Sequence, residues 1–401
     1  MANLFNFTGR ITLGKETEKF KPIERKEFTS KWMNTTVKFN VISGTNRILC
    51  MTQGGKWVDD KKNNVKTFSK STTDANGKVT KGEKIEIPWA KRFDEDEIAK
   101  VAGFKKFVVD TDDYKMRYKL QDLVAAFENG TVTDEQMEAL GIDNLDDAKA
   151  ALNKSKAKRK EFISEWDFAE YMIKVAQSEK MKDKMFNVSG DYEIAYNAEK
   201  GRFYKNYHVN RVTLATEDTE PKTEMKIDFM YGEDAWDDSN FEETGKVIVN
   251  GWVSYYDSNL KNNGFCDMAV IIREDNDKKR NALKRKFTCD DGIKQIGLTL
   301  SVIVGAEVIE LTMDMLDDET REDIECGLLD WEDVKRELGG RAIGDRVSEL
   351  RFAELTPKKN VAQDTVYTVE DMHPAREDVV EDEEGKETVD IFSDDMDDDD
   401  L

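Results

Sequence analysis

The chain has 401 residues, a formal net charge of −23 and 36% charged residues, which is length for two or three domains with real cores under a heavily solvated surface. Its cysteines, Cys50, Cys266, Cys289 and Cys326, form no C-x-x-C pair, which argues against a disulfide framework or a zinc ribbon. Only His208 and His373 are available for histidine-based catalysis, and the longest apolar stretch, Ile296 to Leu311, is too short and too interrupted by polar residues to span a bilayer.

The opening M-A-N-L-F-N-F-T-G-R has no basic segment followed by an apolar run, so no signal peptide is expected and the protein is expected in the cytoplasm. Residues 1–108 carry about 22 Lys and Arg against about 13 Asp and Glu, a basic head near +9. Phe5-Asn6-Phe7-Thr8-Gly9 recurs as Phe186-Asn187-Val188-Ser189-Gly190, and each copy leads into period-two segments, the mark of half-buried strands. After the first copy come K-W-M-N-T-T-V-K-F-N-V-I, with Val37, Phe39 and Val41 on one face, then R-I-L-C-M-T, K-I-E-I-P-W and K-K-F-V-V-D. After the second come R-F-Y-K-N-Y-H-V-N-R-V-T-L, with Tyr207, Val209 and Arg211 on one face, then K-I-D-F-M-Y, K-V-I-V-N-G-W-V and M-A-V-I-I-R. Between the copies the period turns helical: Leu120, Leu123, Val124 and Phe127 share a face, Phe168, Met172 and Val175 share another, and Thr133-x-x-Gln136 and Ser164-x-x-Asp167 mark helix starts. The predicted fold class is α+β, mainly β: a first OB-type five-stranded barrel over 1–112, a helical connector over 113–184, a second OB-type five-stranded barrel with a C-terminal extension over 185–361, and a disordered acidic tail over 362–401.

Positive signs of catalysis are absent. Gly9-R-I-T-L-Gly14-Lys15 matches a phosphate loop only until Glu16 stands where Ser or Thr must meet magnesium, and Pro22 interrupts the helix that must follow. Asp110, Asp112 and Asp113 could be imagined as nuclease metal ligands, but in so acidic a chain they read as a solvated loop. The chain is therefore predicted not to be an enzyme, and neither a cofactor nor a metal is expected.

Binding chemistry is better supplied. Single-stranded nucleic acid needs cations along its phosphates and flat rings under its unpaired bases. Basic and aromatic residues interleave at Trp32, Lys56, Trp57, Lys61, Lys62, Lys66 and Phe68, and again at Trp89, Lys91 and Arg92. The second half repeats the mixture at Arg202, Phe203, Tyr204, Lys205, Tyr207 and Arg211, then Trp252 and Tyr255, and the run D-K-K-R-N-A-L-K-R-K adds Lys279, Arg280 and Arg285 as phosphate contacts. From Glu370 onward about 16 acids stand against 2 bases, closing on Asp397, Asp398, Asp399, Asp400 and Leu401. Such a tail stays solvated, and it can compete for the basic head or recruit partners. Residues 109–369 are net acidic, which argues against a uniform path for a polyanion.

The opening N-L-F-N-F-T-G-R-I-T-L-G and the segment K-W-M-N-T-T-V-K-F-N-V resemble the first two strands of bacterial and phage single-stranded DNA-binding proteins, and the acidic end resembles their C-terminal tail. The plan of two barrels, helical insert and tail is similar to phage-encoded versions. The resemblance implies an OB-fold that coats single-stranded DNA in replication, recombination and repair, with a tail that recruits replication or recombination proteins. The tail here ends in Leu401 where the bacterial family ends in Ile-Pro-Phe. The competing expectations are a non-enzymatic interaction or scaffolding factor and, behind it, a DNA-processing nuclease.

Overall fold

The computed structural model describes residues 3–73, 79–197, 200–216, 218–257, 261–308, 313, 316–331, 334, 343–357 and 359–372. It is mainly β with some helices. Ten strands build two rings: β1 (Leu4–Thr12), β2 (Trp32–Ser43), β3 (Asn46–Trp57), β4 (Met185–Asn197) and β5 (Arg202–Leu214), then β6 (Lys222–Tyr231), β7 (Val247–Asp257), β8 (Asn262–Ile272), β9 (Lys294–Val308) and β10 (Ile343–Leu355).

In the first ring β1 pairs antiparallel with β2 and β2 with β3. β3 then meets β5 in a short parallel seam (Cys50 opposite Tyr207, Met51 opposite His208), and β5 returns through β4 to β1. The second ring repeats that cyclic order. β6 pairs with β7 and β7 with β8, β8 meets β10 in parallel at Ile271 and Arg351, and β10 returns through β9 to β6. A helix lies between the third and fourth strands of each ring: Glu165–Ala176 in the first and Asp277–Lys286 in the second. The rings are joined edge to edge, with Leu4–Thr8 of β1 running antiparallel to Lys222–Lys226 of β6. One apolar core runs through both, from Phe5, Phe7, Phe39 and Val188 to Phe229, Val249, Leu298 and Phe287.

These pairings move the expected boundaries. The division at 112, 184 and 185 cuts through the first ring, because the repeated pentapeptides are partners within it: Phe5 faces Gly190, Phe7 faces Val188 and Gly9 faces Phe186. The second copy therefore supplies the fourth strand of the first ring, and the second ring begins at Lys222. The expected fourth and fifth strands of the first barrel lie outside it. Lys84–Pro88 forms a separate two-stranded sheet with Asn64–Phe68, and Phe107–Asp110 sits between β5 and Arg159–Phe162. The pairing slips between Ser189 and Gly190 of β4, so Asn210 is an extra residue on β5. This β-bulge sends Val209 and Val212 both inward and turns Arg211 outward, against the face expected from strict alternation.

The segment between β3 and β4 holds α1 (Tyr114–Asn129), α2 (Asp134–Leu140), α3 (Leu145–Lys156) and α4 (Glu165–Ala176), with the strand Arg159–Phe162 among them. Thr133 and Gln136 form a reciprocal capping box, and Ser164 caps α4 through the Asp167 amide. α1 and α3 share a small core of Leu120, Leu123, Val124, Ala148 and Leu152. α4 lays Phe168, Met172 and Val175 onto the first ring. The aspartates considered as metal ligands or solvated loop are neither. Asp110 is buried and accepts two hydrogen bonds from Arg117 at 2.6 and 2.7 Å, Asp112 accepts from Lys158, and Asp113 caps α1. The disorder expected from residue 362 begins too early. Gln363 and Asp364 pair with β9, Tyr367 packs on Phe265, and Met372 is buried. Residues 373–401, which hold the acidic tail with Asp397, Asp398, Asp399, Asp400 and Leu401, lie outside the described residues.

Candidate nucleic-acid interface

Side chains of a strand alternate between its faces, so the register of the β2–β3 hairpin arranges the outer face of the first ring in rows. Val37, Phe39, Val41, Ile48 and Cys50 point inward. Outward, Trp32 stands opposite Trp57, Asn34 opposite Gly55, Thr36 opposite Gln53, Lys38 opposite Met51, and Ile42 opposite Arg47. The strand Ile23–Glu27 extends the rows, with Lys26 beside Asn34 and Glu24 beside Thr36. Its turn into β2 is held by Phe28 and Trp32 backbone groups at 2.8 Å, and Lys31 takes the left-handed conformation there, φ 69°. Phe28, Trp32 and Trp57 thus form one aromatic row at the end of the sheet.

The two indoles meet edge to face with centroids 5.2 Å apart, each half-buried. Gly55 makes this possible: a Cβ there would lie 2.2 Å from Cζ2 of Trp32. Ammonium groups surround the row. Lys26 stands 4.9 Å from the Phe28 ring and Lys62 6.0 Å from the Trp57 ring. Lys56, opposite Met33, belongs to the other face of the hairpin, where it pairs with Asp60 at 3.2 Å and lies over Trp166 of α4. The turn Asp60–Lys62 is fixed by Asp59, and by Asn63 accepting from the Trp57 amide at 2.7 Å. On the opposite side of the sheet Glu170 of α4 accepts from Arg25 and Thr35, and these bonds hold its carboxyl below the usual range.

Trp32, Trp57 and Lys62 are therefore brought together, with exposed Lys61 on the same turn as Lys62, whereas Lys56 stands on the α4 side of the sheet. Lys66 is exposed, and half-buried Phe68 lies on the neighbouring small sheet, where Lys105 stands 5.9 Å from both Phe68 and the exposed Phe104. Lys91 is exposed where Trp89–Lys91 touches Asp60–Lys62. Three rings expected under bases are core instead. Trp89 is 7% exposed among Val65, Ile87, Val101 and Ile163. Tyr207 is 4% exposed against Phe5, Phe7 and Tyr192. Tyr255 is 7% exposed and bonds Asp257. In each case the ring was the large apolar body its strand or turn had to bury. Arg92 lies between Trp89 and Phe93 and is paired with Asp167 of α4 at 2.7 Å, so it is a structural clasp.

The remaining predicted residues are elsewhere. Arg202 donates to the Tyr204 hydroxyl at 3.0 and 3.1 Å near the β4–β5 turn, which lowers that phenol's pKa. Phe203 packs on Tyr196 and Tyr255, and Lys205 bonds the Asp267 carbonyl across to the second ring. Trp252 lines a cleft of about 980 Å³ between the rings, beside Glu233, Asp234, Asp267 and Asp291, the wrong sign for phosphate. On the helix Asp277–Lys286, here α5, Arg280 is tied to Asp277 and lies over Phe241, Lys279 is 3.7 Å from Glu274, and Arg285 is exposed. Sequence reasoning missed Phe28, Phe93 and Phe104, exposed by 39, 56 and 78%. Their signal was adjacency to Lys26, to Lys91 and Arg92, and to Lys105 and Lys106.

Among the described residues no cluster of His, Cys, Asp and Glu could hold a metal ion, and no helix is long and apolar enough to cross a membrane. No protein-family model matches the chain, and no curated protein matches it. Among solved structures it is similar to a deletion and point mutant of the single-stranded DNA binding protein from Thermus aquaticus, at 7% identity and a TM-score of 0.26, over 75% of this chain and 86% of that one. A superposition that loose does not establish a shared fold.

Proposed function

We propose that the chain binds single-stranded DNA without sequence preference, through the outer face of β2 and β3 in a first ring of OB type. The observation that carries this reading is the row Phe28, Trp32 and Trp57 with Lys26 and Lys62 beside it. Rings that are half exposed can stack on any base, and ammonium groups beside them can follow the phosphates, so the pairing tolerates sequence. The cyclic strand order, with one parallel seam and a helix between the third and fourth strands, supports an OB-type assignment for both rings. The acidic cleft beside the second ring supports a division of labour in which the first ring carries the DNA. A role in replication, recombination or repair, with the acidic tail recruiting partner proteins, extends the same reading.

The test is a titration of fluorescent oligo(dT) and of a duplex of equal length at two salt concentrations. With about five phosphate contacts the log–log salt slope for the single strand is expected near −3 to −4, about −0.7 per contact. Equal affinity for duplex, or no dependence on salt, would overturn the reading.

A further inference from the structure

Asn64–Phe68 and Lys84–Pro88 form a small sheet with two unlike faces. Val65, Thr67 and Ile87 are buried, and Val65 and Ile87 share a core with Trp89, Val101 and Ile163. Side chains alternate along a strand, so Lys66 and Phe68 take the other face, with Glu86 opposite Lys66 and Lys84 opposite Phe68. Beyond this pairing the chain is pinned to the segment that leads into the turn Gly103–Lys105. The Ala102 amide donates to the Phe68 carbonyl at 2.9 Å, and Ser69 bridges Val101. Lys105 is thereby held 5.9 Å from the Phe68 ring and 5.9 Å from the Phe104 ring, so one ammonium group is shared by two rings.

Packing does not account for Phe104, whose ring is 78% exposed. A cation–π contact at the surface returns less than burying the ring would. One exposed ring needs no explanation, but here a second, half-buried ring shares its cation. The cations are not consumed locally either. Lys66, Lys84 and Lys105 are exposed and make no ion pair among the described residues. Glu86 accepts from Asn64 at 2.6 Å, and Glu165 of α4 lies within electrostatic reach of Lys105. On the sheet face itself and its adjoining turn, three lysines stand against Glu86. Accessible rings with ammonium groups beside them match a single nucleic-acid strand, and the surplus of positive charge suits a polyanion.

We infer that Phe68 and Phe104, with Lys66, Lys84 and Lys105 beside them, form a second base-stacking platform for single-stranded DNA. The inference rests on the proposed function and adds a subsite outside the first ring. The two platforms are close. The Asn63 side chain bonds both the amide and the carbonyl of Trp57, and Phe68 follows Asn63 by five residues, at most about 17 Å at strand rise. Roughly five nucleotides at about 3.4 Å each span that distance, so one strand can occupy both platforms.

The experiment titrates a fluorescent oligo(dT) long enough to cover both platforms against the full-length chain and its variants Phe104→Ala, Phe104→Trp and Lys105→Gln, each at two salt concentrations. Thermal unfolding of all three is expected to match the parent, since both side chains are exposed. Phe104→Ala should weaken binding roughly 5- to 150-fold, the loss of one stacked base. Phe104→Trp keeps a flat ring at an open position and should bind as the parent does. Lys105→Gln should shrink the salt slope by about 0.7, one phosphate no longer neutralised. Unchanged affinity in Phe104→Ala, equal losses in Phe104→Ala and Phe104→Trp, or an unaltered salt slope in Lys105→Gln overturns the inference. So does a lower unfolding temperature in Phe104→Ala, which would make the ring a packing element. Failure of the unaltered chain to bind oligo(dT) overturns the proposed function instead.

Discussion

Gly55 is the floor on which the Trp32 indole rests, and Gly55→Ala tests whether the aromatic row binds DNA. The new Cβ would lie 2.2 Å from Cζ2, 2.5 Å from Cε2 and 2.6 Å from Nε1 of Trp32. Carbon atoms sit comfortably at about 3.5–4.0 Å, so the ring must retreat by more than 1 Å or change rotamer. The backbone is not the obstacle, because Gly55 lies within β3 opposite Asn34 and needs no left-handed conformation. Displacement breaks the edge-to-face contact with Trp57, at a cost of about 0.5–1.5 kcal/mol in stability. It also removes one stacking platform, at a cost of about 1–3 kcal/mol in binding, or roughly 5- to 150-fold in Kd. Near-ultraviolet circular dichroism and tryptophan fluorescence report the ring movement, and oligo(dT) titration reports the binding. A changed tryptophan spectrum with unaltered affinity would show that the row does not hold bases. An unaltered spectrum would show that Trp32 does not rest on Gly55.

Trp57→Ala should weaken oligo(dT) binding by about 1–3 kcal/mol, whereas Trp89→Ala should lower unfolding free energy by about 3–5 kcal/mol, as for a buried aromatic; the reverse pattern would exchange their roles. Asp110→Ala should destabilise the α1–α3 module by about 3–5 kcal/mol, since it strands the buried Arg117 charge; urea unfolding that moves by less than about 1 kcal/mol would contradict the packing described. Burial alone would lift Asp112 and Glu161, yet hydrogen bonds from Lys158, and from Lys106 and Arg159, hold both below the ordinary carboxylate range. Groups whose folded pKa is depressed bind fewer protons folded than unfolded, so their contribution is present above the ordinary carboxylate pKa and is lost as pH falls through the folded value; a stability series in urea that rises on acidification would refute the sign. Deleting residues 373–401, and not from Glu370, should leave the fold intact because Met372 is buried. That deletion should tighten DNA binding most at low salt, by removing a tethered polyanion, and equal affinities with and without the tail at low salt would show that it does not compete with DNA.

Much of the local structure is legible in the residues. Alternation marks Val37, Phe39 and Val41 as inward, and helical spacing marks Phe168, Met172 and Val175 as the face of α4 that packs on the ring. Partnership is what alternation cannot encode. A period of two reports that a strand has a wet face and a dry face, but not which distant strand lies beside it. The pentapeptide at Phe186 looks like a second beginning, yet it pairs with the first copy, because both present the same pattern to one core. Aromatic residues defeat sequence reasoning for a related reason. Trp57 follows Lys56 and Trp89 lies two residues before Lys91, but Trp89 has Val65 and Ile163 to cover it, supplied from far away in the chain. The outward turn of Arg211 depends on a single extra residue in a ladder, which no count of hydrophobic spacing reveals.

The long interruption between β3 and β4 has a consequence for biosynthesis. Trp57 ends the third strand of the first ring, and Met185 begins the fourth. At roughly 5–20 residues per second, a ribosome needs about 6–25 s to span that gap. Throughout it, β1 lacks its partners β4 and β6, and the edge of β3 has no β5 to close against. Closing so long a loop costs entropy that only the late strands can repay. The α1–α3 core is assembled from neighbours in sequence, so it can form while the ring waits. A nascent chain halted near residue 180 would therefore hold a folded helical module beside an open, association-prone sheet, and release a ring only once Leu214 has emerged.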